Sequence, residues 1–141
     1  MLRAVVDTNI LIRANIKKTG SDYLVFKSFL EGKFELFYSE KLILELAKVL
    51  NYKRIYSKYK FNQEIISDFL GSIITFGKLV SSPKKVRICR DPNDDEILSI
   101  ALVVTGRNPT YVVSGDKDLL DLKGKVKGVE IMTASEFLKI V

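Results

Sequence analysis

Four places in this sequence hold acidic residues against an apolar background. Asp7 closes the run Leu2–Val6, Glu45 lies inside LILELAKVL, Asp116 follows TYVVSG, and Asp91, Asp94 and Asp95 open a further amphipathic stretch. Leu42, Leu46 and Val49 form an i, i+4, i+7 stripe, and Glu45 stands three after Leu42 and four before Val49. It therefore points near the inner side of a helix, where an unpaired carboxylate is costly. Asp94 heads a stripe through Ile97, Leu98 and Ala101. Asp95 lies about 100° further round, in line with Leu98, Ser99 and Leu102.

Each acid has an ordinary explanation. Asp7 suits an Asx-turn or a helix N-cap. Glu45 can lie at the margin of its stripe or pair with Lys41 or Lys48. Asp94 and Asp95 gain about 0.3–1 kcal/mol from a helix dipole, and Asp116 suits a turn that caps a helix. None of these explains the joint pattern. Carboxylates carried on separate elements and gathered by the fold make an all-oxygen site for a hard cation, Mg²⁺ or Mn²⁺. Gathered without one, they would repel at a steep cost. Such a site orients water and stabilises charge on a phosphodiester, with a second cation about 3.5–4 Å away serving the leaving oxygen.

Composition narrows the chemistry further. The 141 residues include no histidine, which removes Ser-His-Asp and Cys-His catalysis and any His-based zinc site. The single cysteine, Cys89, cannot close an intramolecular disulfide, in keeping with a reducing compartment. No stretch approaches the about 18 apolar residues of a membrane span, and MLRAVVDTN has too short an apolar run for a secretory signal. A cytoplasmic protein with no membrane partner is expected. A net charge of +6 favours a polyanion such as nucleic acid as partner, although lysine-rich solubility accounts for it equally. In YKRIYSKYK, Lys53, Arg54 and Lys58 alternate with tyrosines. The cations can bind RNA phosphates while rings stack on bases, or the segment is a solvated helix face with tyrosines turned inward.

No repeat or linker interrupts the chain, so residues 1–141 are expected to form one domain. Strands are predicted at Leu2–Val6, Phe34–Tyr38, Lys78–Val80, Tyr111–Val113 and Val129–Met132. Helices are predicted from Asn9, from a cap at Ser21 or Asp22 with Leu24, Phe26, Phe29 and Leu30 inward, from Ser39, from Asn62 to about Phe76, from Asp91-Pro92 to Gly106, and from a Thr133/Glu136 capping box. SSPKK is read as a connector. Alternating strands and helices imply a mostly parallel sheet covered on both faces. Ligands bind beyond the carboxyl ends of such strands, the edge that Asp7 and Asp116 occupy.

VVDTNIL, LILEL, DPNDDEILSIA and VVSGDKDLL, in that order, resemble the motifs of PIN-domain proteins, and the resemblance spans Leu2 to Val141. The chain looks most similar to the toxin-type, VapC-like group of prokaryotic toxin–antitoxin pairs. The resemblance implies a three-layer α/β/α sandwich and a Mg²⁺- or Mn²⁺-dependent ribonuclease with Asp7, Glu45, Asp116 and either Asp94 or Asp95 as its acids. Apolar phase favours Asp94, whereas counting back from Gly106 favours Asp95. Ser114 and Asn9 take supporting places beside the last and first acids. The resemblance also implies an antitoxin partner, and homodimers are common in the group.

Two other readings compete. A haloacid-dehalogenase-like phosphatase also starts from a strand-end aspartate, but it needs an acid two residues later, where this chain has Asn9. A PIN fold that binds RNA or a partner without turnover would keep the same acids. A nucleotide-binding Rossmann protein is disfavoured, since neither GxGxxG nor GxxxxGKS follows a predicted strand.

Overall fold

A computed structural model describes residues 1–81 and 86–141; of the SSPKK connector, residues 82–85 lie outside the described residues. The elements run β1 (Arg3–Val6), α1 (Thr8–Ile16), α2 (Gly20–Leu30), β2 (Glu35–Tyr38), α3 (Glu40–Leu50), α4 (Lys53–Lys58), α5 (Gln63–Phe76), β3 (Lys78–Leu79), α6 (Pro92–Val104), β4 (Thr110–Val113), α7 (Lys117–Leu120), β5 (Val129–Met132) and α8 (Ala134–Leu138). The strands form one five-stranded sheet in the order β3-β2-β1-β4-β5. Every pairing is parallel, so the sheet is wholly rather than mostly parallel. Helices flank it, giving the three-layer α/β/α sandwich.

Past Arg3 in β1 and Thr110 and Tyr111 in β4, the central strands run apolar because both their faces are covered. Ala4, Val5, Val6, Val112 and Val113 are buried without alternation. Phe34 and Phe137 meet edge to face at 4.9 Å and seat α8 on this core. Caps set the helix starts. Ser39, Asn62 and Asp91 accept from the backbone N–H of Leu42, Ile65 and Asn93, and Thr133 and Glu136 close a reciprocal capping box. The start of α2 departs from expectation: the helix begins at Gly20, after Thr19, so Ser21 and Asp22 lie inside its first turn. Its inner face is Val25, Phe26 and Phe29, whereas Leu24 and Leu30 are exposed. The short helix α4 falls on the YKRIYSKYK segment, as its helix-face reading has it, and α7 is the helix that Asp116 caps.

Strand order decides where a ligand can bind. The chain lays β1, β2 and β3 in one direction across the sheet, then returns to place β4 and β5 on the other side of β1. The β1/β4 boundary is thus a topological switch point, where connections leave in opposite directions and a crevice opens beyond the strand ends.

Candidate functional site

Asp7 and Ser114 are the first residues past β1 and β4, so the switch point sets them side by side. The Asp7 N–H donates to the Val113 carbonyl at 2.9 Å, which continues the ladder one residue past β1. Its side chain then turns to cap α1, accepting from the Asn9 N–H at 3.2 Å on Oδ1. The other oxygen, Oδ2, accepts from the Ser114 hydroxyl at 2.6 Å. That hydroxyl in turn accepts from the Asp116 N–H at 3.0 Å. Ser114, fully buried, therefore links the first acid to the backbone of the last. Asp116 caps α7, its Oδ1 accepting from the Asp118 N–H at 2.8 Å. Asn9 supports Asp7 through its backbone, and its side chain is exposed.

Asp94 reaches the same place from the first turn of α6, which packs against β1 and β4. One carboxylate oxygen from each of Asp7, Asp94 and Asp116 lies within 4.8 Å of the other two. Asp7 and Asp94 are each 4% exposed, and Asp94 Oδ2 is buried without a hydrogen-bond partner. Burial first, then the charges of Asp116, Asp7 and Asp91, push the Asp94 carboxyl up from 3.8 to about 7. The amino ends of α1 and α6 offset some of this repulsion. An orphaned carboxylate oxygen facing two further carboxylates is what a hard divalent cation would satisfy. The cluster of three acidic side chains fits a metal site.

The other candidate residues are placed elsewhere. Asp95 is turned away from the cluster: its Oδ1 accepts from the backbone N–H of Ile88 at 2.9 Å and of Cys89 at 2.8 Å, fixing the segment that leads into α6. Glu45 is half-buried outside the cluster, in a crevice shared with Thr8, Lys41, Asn93 and Glu96. A cleft of about 580 Å³ continues from there, walled by Lys41, Arg87, Cys89 and Glu96. Burial, then Asp95 and Asp94, push the Cys89 thiol up to about 12, which keeps it protonated and a poor nucleophile. Lys53, Arg54 and Lys58 are exposed on α4, away from the three aspartates in sequence and in element.

Several residues at this site escaped the sequence reading. Glu96 accepts from the Ser39 hydroxyl at 3.1 Å, joining α6 to the cap of α3. Its signal was helical spacing, since Asn93 and Glu96 share the face that meets α3. Two arginines also approach the Ser114–Asp118 turn. Arg90 donates to Asp118 at 2.9 Å, and Arg13, which donates to Asp22 at 2.7 Å, lies beside Gly115.

The chain matches the PIN domain over residues 3–118, a span that carries all three aspartates and Glu45. It belongs to the PIN-domain family. Uncharacterized protein MJ1680 of Methanocaldococcus jannaschii is a relative, 25% identical over 131 residues that cover 92% of this chain and 81% of that protein. PIN domains are in general metal-dependent nucleases that act on RNA, and the aspartate cluster of this PIN domain agrees with that chemistry. Among the described residues, no helix is long and apolar enough to cross a membrane.

Proposed function

We propose that this PIN domain is a Mg²⁺- or Mn²⁺-dependent endoribonuclease of the cytoplasm that cuts single-stranded RNA. The observation that carries the reading is Asp94 Oδ2, buried, unpartnered and set among the carboxylates of Asp7 and Asp116. Asp7, Asp94 and Asp116 would hold the cation, with Glu45 adding a fourth carboxylate from α3. Bound there, the ion supplies Lewis-acid stabilisation of charge on a phosphodiester undergoing displacement. Ser114 locks Asp7 and the Asp116 backbone in place, so little reorganisation is needed on binding. Asp94 would hold such a cation as the deprotonated carboxylate. Asp95 acts at one remove, by fixing residues 88 and 89. With no histidine in the chain and Cys89 held protonated, neither histidine-assisted nor thiolate catalysis competes with this scheme.

The ordered motifs further support a toxin of a type II toxin–antitoxin pair, whose antitoxin would cover the acidic mouth, with a homodimer as the working form. A mixed-sequence single-stranded RNA should be cut with Mn²⁺, spared under chelator, and spared by folded Asp7→Asn and Asp116→Asn. Expression of the wild type, and not of Asp7→Asn, should arrest growth. Full cleavage by folded Asp7→Asn would sink the assignment, and growth indifferent to the wild type would remove the toxin role.

A further inference from the structure

The turn from Ser114 to Asp118 is approached by two arginines from distant parts of the chain. Arg13 comes from α1, its Nε held by Asp22 of α2 at 2.7 Å, with a half-exposed side chain. Arg90 comes from the segment before α6, its Nη2 held at 2.9 Å by Asp118, the residue whose N–H donates to Asp116 Oδ1. A guanidinium offers five donors, and each tether engages one nitrogen, so further N–H groups remain to meet an incoming oxygen. Exposed ion pairs of this kind contribute little to stability. What they do provide is orientation, holding a planar fork with reduced freedom.

Gly115 adds an independent observation. It is not among the glycines with positive φ, so its backbone conformation does not call for glycine. A Cβ there would stand 3.6 Å from Arg13 Nη2. That is an ordinary contact distance, so it places the guanidinium against the turn, where the exposed Gly115 backbone beside Asp116 is open to a phosphate.

We propose that Arg13 and Arg90 are phosphate-binding residues that grip the backbone of single-stranded RNA beside the Asp7/Asp94/Asp116 cluster, with Asp22 and Asp118 as their positioning residues. This rests on the nuclease reading for its substrate, but it is testable by binding alone. The carboxylates repel a polyanion, so a substrate that must lie across them needs cations at their border. The arginines supply these without entering the cluster, and backbone contacts of this kind fix register while carrying no sequence preference.

The test is binding of a labelled single-stranded RNA to the full chain under chelator, followed by anisotropy across a salt series. Arg13→Gln and Arg90→Gln should each weaken binding by roughly tenfold at low salt and flatten the log K against log salt slope by about 0.7, alike for unrelated sequences. Arg107→Gln, at the opposite end of β4, should leave both unchanged. Asp22→Asn, which breaks the ion pair but keeps the guanidinium, should retain the wild-type slope. Wild-type slopes in both arginine variants, or no binding by the wild type at low salt, would each overturn the proposal. Failure of the nuclease reading shows separately, as absence of Mn²⁺-dependent cleavage while the arginine variants still lower the slope.

Discussion

An ionised Asp94, 4% exposed and facing two more carboxylates, is costly to the folded chain. Its pKa is raised by burial and then by Asp116, Asp7 and Asp91, to about 7 against 3.8 in the open chain. Between those values the folded protein keeps a proton that the unfolded protein releases. Without a cation, stability therefore falls as pH rises through this window, by at most about 1.4 kcal/mol per pH unit, and levels off above it. Asp94→Asn should abolish the decline, so that under chelator at pH 8 the variant melts above the wild type. Added Mn²⁺ should raise the wild-type Tm at pH 8 and leave the variant nearly unmoved. Parallel melting curves across pH would show that Asp94 does not carry this cost. The types of the acids were legible in the sequence because each interrupts an apolar pattern. Helical phase pointed to Asp94 and left Asp95 open, and the contacts of residues 88 and 89 with Asp95 separate their positions. Glu96 carried only the signal of helical spacing, and Arg13 and Arg90 were not legible, because each gains its meaning from a partner that only the fold brings near.

At the scale of elements, the site depends on how α3 meets α6. Ser39 is 2% exposed and does two jobs, accepting the Leu42 N–H as the cap of α3 and donating to Glu96 of α6. Ser39→Ala should cost about 0.5–2 kcal/mol, the ordinary value of a missing cap. It should also lower RNA cleavage, because Ser39 holds Glu96, which lines one crevice with Glu45. Asn62→Ala removes an equivalent cap from α5 and should cost similar stability with cleavage unchanged. Equal activities in the two variants, measured on folded protein, would mean that the α3–α6 contact is structural only. Caps were the most readable local signals. Ser39, Asn62, Asp91 and Thr133 each carry the polar oxygen that an orphan N–H requires. The start of α2 was misread because Ser21 and Asp22 are good cap types, while the extended residue ahead of the helix is Thr19. Leu24 and Leu30 were misplaced with it, since moving the helix start does not settle which side of an apolar helix faces the core.

Across the whole molecule, alternation of strands and helices announced a parallel sheet, but it does not dictate the order β3-β2-β1-β4-β5. Strand order rests on long-range packing, and it is what turns two distant aspartates into neighbours. Charge is likewise divided on this larger scale: the chain carries +6 overall, yet its candidate site gathers three carboxylates. A polyanion should therefore be drawn to basic surface first and meet the carboxylates only locally. The α4 segment is one such surface. Lys53, Arg54 and Lys58 are exposed, while Tyr56 and Tyr59 are half-buried against the core and Lys58 Nζ lies 5.3 Å above the Tyr59 ring. The inward-tyrosine reading thus holds for Tyr56 and Tyr59, which reduces the segment's role to charge with Tyr52 as an exposed ring. α4 packs on α3, the helix that carries Glu45. Replacing Lys53, Arg54 and Lys58 together by glutamine should weaken RNA binding at low salt and flatten its salt dependence, by about 0.7 in slope for each phosphate no longer neutralised. The effect should fade at high salt, where screening shortens the reach of surface charge. Wild-type affinity at low salt would remove α4 from the RNA path and leave the arginines beside the mouth as the cations that matter.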